Sequence, residues 1–169
     1  RSVPLDFYPR LIRQAQAAGV PVLLDSSGSF LAAGLEARPW LIKPNLHELE
    51  ELCGEKVDGP SRVIPLAHKL QQTYPVNLIV TLGTEGAYAF IEGREWWIPP
   101  IPVEVVSAAG AGDAVIAGMA LAVARRQSHE EGLRLGFAMA TAMLLTPATG
   151  DFRPEDVRRF LPQVQILPL

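Results

Sequence analysis

Leu11, Ile12, Ala15 and Ala18 recur at the spacing that lines one face of a helix. Asp6 ahead of them is a helix-start residue and Gly19 behind them a natural stop, so a helix is expected over Phe7–Ala18. The apolar run Val20–Leu24, closed by Asp25, reads as a short buried strand. The idea repeats after a segment rich in Ser, Gly and Ala. A short strand at Trp40–Ile42 precedes a helix from Leu46 to about Leu52, a second helix over Val63–Gln72 and an apolar strand at Leu78–Val80. Helices alternating with fully apolar strands predict an α/β fold on a mostly parallel sheet flanked by helices.

Beyond Gly83 the pattern changes. Ala87–Ile91 and Arg94–Ile98 read as two strands joined at Glu92-Gly93, a two-residue hairpin signal, which sets an antiparallel hairpin at one side of the sheet. Trp96 and Trp97 alternate faces there, so one belongs to the core and the other to solvent. Pro99, Pro100 and Pro102 interrupt any ladder before a strand resumes at Val103–Val106. Helices are expected over Asp113–Arg126 and Glu130–Leu145, the second capped by Ser128, and a last one over Glu155–Leu161 after Pro154. The first two are rich in Ala and Gly, which allows close packing against a sheet or a flat ligand.

Composition narrows the function classes. A 49% hydrophobic content over 169 residues suffices for a core of ordinary size, with one domain as the default. The net charge is −3 and no Lys/Arg cluster exceeds pairs such as Arg125-Arg126, so no electrostatic footprint for nucleic acid is present. Cys53 is alone, which rules out an intrachain disulfide, and no apolar run reaches the roughly 20 residues that span a bilayer. These features fit a cytoplasmic protein with neither nucleic acid nor membrane as partner. The opening Arg1-Ser2-Val3-Pro4 has no initiator Met and no signal pattern, which suggests a fragment or a processed chain.

The sharpest chemical signal is Val105-Val106-Ser107-Ala108-Ala109-Gly110-Ala111-Gly112-Asp113, a strand, a glycine loop and an acid opening a helix. Glycines at such a junction let backbone N–H groups converge, and the helix adds a partial positive charge, so an anion should bind. An Asp beside that anion has either a proton to take or merely a helix to cap. Asn45-Leu46-His47-Glu48 has the spacing of a capping box that starts a helix. Thr81-Leu82-Gly83-Thr84-Glu85-Gly86 ends an apolar strand, at the edge where parallel sheets bind ligands, or simply turns into the hairpin. Asp25 ends its own strand. His47, His68 and His129 show no metal spacing and read as surface residues, and Cys53 as a buried small hydrophobe.

Four segments in order resemble the phosphofructokinase-B (PfkB), or ribokinase-like, family of carbohydrate kinases. They are Leu24–Gly28, Lys43-Pro44-Asn45-Leu46-His47-Glu48-Leu49, Val80–Ala87 and Gly110–Asp113. Their counterparts lie in the branch acting on fructose 1-phosphate, fructose 6-phosphate or tagatose 6-phosphate. The resemblance covers almost all of this chain but only half of a family member. Residues 1–169 would be the C-terminal nucleotide-binding and catalytic part, without the N-terminal sugar-binding half and lid. The implied fold is ribokinase-like, with a Rossmann-like sheet.

The resemblance implies ATP as phosphoryl donor and Mg2+ near its phosphates. Asp113 would be the general base, and Gly110, Ala111 and Gly112 the anion hole. Asn45 and Glu48 would place the metal and its waters. Lys43, Thr81, Gly83 and Gly86 would approach the nucleotide, unless Lys43 is simply solvated. Ala138 and Thr141 would form part of an adenine wall, or else pack. The family's Asp-Thr ahead of the loop is replaced by Ser107-Ala108-Ala109, which removes a phosphate contact and favours slightly a non-catalytic nucleotide-binding regulator. The first-choice acceptor is fructose 1-phosphate, ahead of fructose 6-phosphate, tagatose 6-phosphate, ribose, a nucleoside or a small alcohol. The chain alone is expected to be inactive, and a homodimer is expected only of a full-length protein.

Overall fold

The expected first helix forms as α1, Phe7–Ala17, with Pro9 and Ile12 turned inward, in a computed structural model describing residues 3–57, 59 and 62–169. The Arg1-Ser2 start lies outside the described residues. Asp6 occupies the N-cap position, yet its side chain makes no capping bond. The C-terminus closes as anticipated: Gly19 sits at φ 71°, donates to Gln16 O at 2.9 Å, and Val20 donates to Ala15 O at 3.0 Å. That closure corrects the next expectation. Val20 N–H is committed to the helix end and Pro21 has no N–H, so the strand β1 is only Leu23–Leu24.

The Ser/Gly/Ala segment, given no element from sequence, is a helix: α2, Gly28–Glu36. Leu31 and Leu35 are its buried stripe, and Gly34 lets it lie on the sheet, since a Cβ there would stand 2.5 Å from Leu24 Cδ2. Strand β2 is Leu41–Ile42, α3 is Leu46–Cys53, α4 is Val63–Thr73 and β3 is Asn77–Thr81. β1 pairs with β2, and β2 with β3, all parallel, with Leu24 opposite Ile42 and Ile42 opposite Leu78. Leu78, Ile79 and Val80 have no exposed surface, as a strand covered on both faces requires.

Strands β4, Ala87–Ile91, and β5, Arg94–Ile98, fall at the expected residues. Glu92 and Gly93 between them both have positive φ, 51° and 77°, the pattern of a type I′ turn. Trp96 is buried and Trp97 is 37% exposed, as the alternation predicted. The strands follow one another across a single mixed sheet in the order β1-β2-β3-β4-β5-β6, where β6 is Leu167–Pro168 and runs antiparallel to β5. β6 was not anticipated, because Pro168 argues against a ladder except at an edge.

Contacts divide the chain into two compact units, one of residues up to Gly83 with Tyr88–Arg94, the other of Thr84–Ala87 with Glu95–Leu169. The first unit's core gathers Ile12, Leu24, Leu31, Leu35, Ile42, Leu49, Leu66, Leu70, Leu78, Val80 and Phe90. His68 is half-buried there with its ring edge-on to Phe90 at 5.6 Å, not a surface residue, and Cys53 is only half-buried.

The second unit holds α5, Ala111–Arg125, α6, His129–Met143, and α7, Pro154–Phe160. Ser128 caps α6 as expected, accepting from Glu131 N–H, while the Glu131 side chain accepts from Ser128 N–H. The small residues of α5 and α6 bring these two helices onto each other: a Cβ on Gly136 would lie 2.8 Å from Val115 O. The strand expected at Val103–Val106 is absent. Val106 and Ser107 instead donate to Leu144 O just beyond α6, at 2.8 and 3.4 Å. Among the described residues, no helix is long and apolar enough to cross a membrane.

Candidate functional site

In the second unit the glycine loop opens α5. Gly110 is the N-cap residue at φ 86°, a conformation that favours glycine, and there is no room for a side chain. A Cβ there would meet Met143 Sδ at 2.9 Å, Thr149 Cγ2 at 3.2 Å and Gly150 N at 3.3 Å. Upstream, Ala109 N–H donates to Ser107 Oγ at 3.3 Å, so Ser107 closes the turn in which the Asp-Thr pair is missing. Ala111 N–H donates to Ala108 O, and the first i→i−4 bond of α5 runs from Ala114 N–H to Gly110 O at 3.1 Å. Gly112 and Asp113 therefore present first-turn amides that the helix itself does not use, and no side chain caps this end. Asp113 is exposed on that turn. Two amides, a helix dipole and a carboxylate make a place for an anion with a proton acceptor beside it.

Two expectations for this unit change. Ala138 is completely buried, and buried Thr141 spends its hydroxyl on Phe137 O at 2.8 Å, so neither offers an exposed wall to a base. Gly86, at φ 87°, permits a close approach, but of the Ile98 carbonyl, 2.2 Å from a would-be Cβ.

In the first unit, the expected residues gather at the C-terminal ends of β1, β2 and β3. Lys43 N–H donates to Leu24 O at 3.3 Å, Thr81 N–H to Pro44 O at 3.1 Å, and Asn45 bridges Thr81 in parallel. Asn45 and Glu48 form the full capping box of α3: Asn45 Oδ1 accepts from Glu48 N–H at 2.9 Å, and Glu48 Oε2 from Asn45 N–H at 2.8 Å. The box holds the Glu48 carboxylate at the strand ends. Lys43 is not solvated: it is 6% exposed, its Nζ 3.1 Å from Asp25 Oδ2. Gly83, at φ 60°, starts a 3-10 turn just after β3.

Among the described residues, no group of three or more His, Cys, Asp or Glu side chains could hold a metal ion. Asn45 and Glu48 offer one amide and one carboxylate, which is enough to hold the waters of a magnesium ion. A groove of ≈ 530 Å³ lies at the opposite ends of the strands, lined by Val22, Trp40 and Val76. Two of its polar side chains are spent on backbone, Gln16 donating to Ala37 O and Gln71 to Val76 O. Missed from sequence were Leu144, whose carbonyl anchors Val106 and Ser107, and Thr146, whose loop packs on Gly110. No local pattern marks either residue.

The mixed sheet and the helices that accompany it define a class, the α/β proteins. The description "pfkB family carbohydrate kinase" matches residues 1–156, and the chain belongs to that family. It is 35% identical to the 1-phosphofructokinase of Escherichia coli (strain K12) over 147 residues, 87% of this chain and 47% of that one. Phosphofructokinase-2 from Escherichia coli, crystallised in complex with potassium, superposes with a TM-score of 0.86 at 30% identity, over 96% of this chain and 53% of that one. Arabidopsis thaliana ribokinase complexed with ribose and ATP gives 0.81 at 28%, over 95% and 54%. The chain spans about half the length of the curated relatives it matches.

Proposed function

We propose that the full-length protein carrying this chain is a cytoplasmic, ATP-dependent sugar-phosphate kinase that converts fructose 1-phosphate to fructose 1,6-bisphosphate. The opening of α5 carries the reading, with uncommitted amides at Gly112 and Asp113 and an exposed carboxylate on the same turn. The acceptor hydroxyl attacks the γ-phosphorus in line as Asp113 takes its proton. A new P–O bond forms to the sugar, the bond to the ADP oxygen breaks, and the loop amides offset the charge that develops. Thr81 and Gly83 serve the nucleotide, and Lys43, held by Asp25, adds positive charge at the same strand ends. Magnesium, its waters held by Asn45 and Glu48, would supply charge neutralisation on the phosphates.

The identity with 1-phosphofructokinase supports the choice of acceptor. The test is a panel of fructose 1-phosphate, fructose 6-phosphate, tagatose 6-phosphate, ribose and a nucleoside, with ATP and magnesium, on the full-length protein. Preference for another acceptor would overturn the substrate assignment. Asp113→Ala is expected to lower kcat by about 100-fold or more with little change in ATP affinity. Near-normal turnover would remove the base assignment. The isolated chain is expected to be inactive. The Ser107-Ala108-Ala109 replacement favours a second reading, a nucleotide-binding regulator, which would bind ATP without sugar-dependent ADP release.

A further inference from the structure

Thr146 is a buried polar residue, 8% exposed, to which the proposed chemistry gives no task. Its hydroxyl lies 2.6 Å from Asp151 O, 3.1 Å from Met143 O and 3.4 Å from Ala148 O. A hydroxyl has one proton to donate, and the shortest contact, to Asp151 O, is the one that closes residues 146–151 into a loop. Thr146 N–H donates to Met143 O and Asp151 N–H to Ala148 O, so the loop is tied at both ends. Its outer wall leaves no room for a side chain on Gly110, since a Cβ there would stand 3.2 Å from Thr149 Cγ2 and 3.3 Å from Gly150 N. On the other side, Leu144 O takes the N–H groups of Val106 and Ser107. The glycine loop is thus backed by one short stretch, residues 143–151.

We infer that Thr146 is a positioning residue for the anion loop: its hydroxyl sets the 146–151 wall that holds Gly110, and with it the Gly112 and Asp113 amides, in place. This rests on the phosphate-binding reading for its consequence, but not for its geometry. Thr146→Val keeps shape and removes the hydroxyl, Thr146→Ser keeps the hydroxyl, and Gly150→Ala strains the same wall at φ 76° without touching either.

Amide hydrogen exchange on this chain reads the geometry directly. Exchange at Ala111 and Ala114, whose amides are bonded to Ala108 O and Gly110 O, is expected to rise about ten-fold in T146V and in G150A, and to stay at the wild-type level in T146S, with β1–β3 unchanged in all three. Wild-type exchange at Ala111 and Ala114 in whichever of T146V and G150A folds would overturn the inference. In the full-length protein T146V is expected to lower kcat about ten-fold with KM for the sugar unchanged, and T146S to restore it. A raised KM at unchanged kcat would also overturn it. Loosened exchange in a protein that phosphorylates no sugar would leave the positioning standing and remove the kinase reading.

Discussion

Gly118 on α5 and Gly136 on α6 lie backbone to backbone: a Cβ placed on Gly118 would stand 2.3 Å from Gly136 N and 2.4 Å from its Cα. Backbone cannot swing aside as a flexible side chain can. Because Gly112 and Asp113 lie in the first turn of α5, this contact seats the helix that presents their amides.

Gly118→Ala therefore sets two effects against each other. Alanine gains about 1 kcal/mol of helix propensity over glycine, whereas forcing a methyl into closed packing costs about 1–3 kcal/mol. The clash is against backbone, so its cost falls at the upper end and the variant is expected to be less stable by about 1–2 kcal/mol. Chemical denaturation measures this, and unchanged or raised stability would mean that the helices separate freely.

Asn45 and Glu48 separate capping from metal work. Asn45→Ala removes one half of the capping box and is expected to cost about 1 kcal/mol. Glu48→Gln still accepts from Asn45 N–H, so the melting temperature should hold while the magnesium concentration needed for half-maximal turnover rises. A Glu48→Gln protein with wild-type magnesium dependence would leave Glu48 as a cap alone.

The Asp25 and Lys43 pair makes a third test. Asp25→Asn leaves a buried ammonium without its anion, at an expected cost of about 3 kcal/mol. Adding Lys43→Met to that variant should recover most of the loss in urea unfolding, since the charge that needed a partner is gone. A double variant no more stable than Asp25→Asn would show that the charge is not the cause.

Acid should probe the loop after α3. Glu50 accepts from Val57 N–H and from Lys56 Nζ, both at 2.9 Å. The bond from Val57 N–H, and then Lys56, hold its carboxyl below the ordinary 4.5. A depressed folded value means that the stabilisation is complete above 4.5 and is lost as pH falls through the lower folded value. Glu50→Gln should accordingly flatten the decline in melting temperature below that pH, and an equally steep decline would assign the acid limb to other carboxylates.

Much of the fold was legible because its signals are local. The I′ turn at Glu92-Gly93, the capping boxes at Asn45 and Ser128, and the buried run Leu78–Val80 each depend on residues within a few positions of one another. Where local signals compete, the reading failed. Gly28–Glu36 carried no element in the sequence because Ser and Gly weaken helix propensity, yet Leu31 and Leu35 find a core and Gly34 a neighbour in Leu24. Val103–Val106 looked like a strand because its residues favour one, yet Val106 finds its acceptor at the end of α6.

The amino-acid sequence by itself determined the family, most of the alternating helices and strands, and the places of the motifs that hold Asn45, Glu48, Gly110 and Asp113. Only the tertiary structure decided that Lys43 faces Asp25, that Ala138 and Thr141 are buried, and that Thr149 and Gly150 stand against Gly110. The reason is separation along the chain. Contacts between residues tens of positions apart leave no periodicity to read, and they are settled by which surfaces close on one another when the core forms.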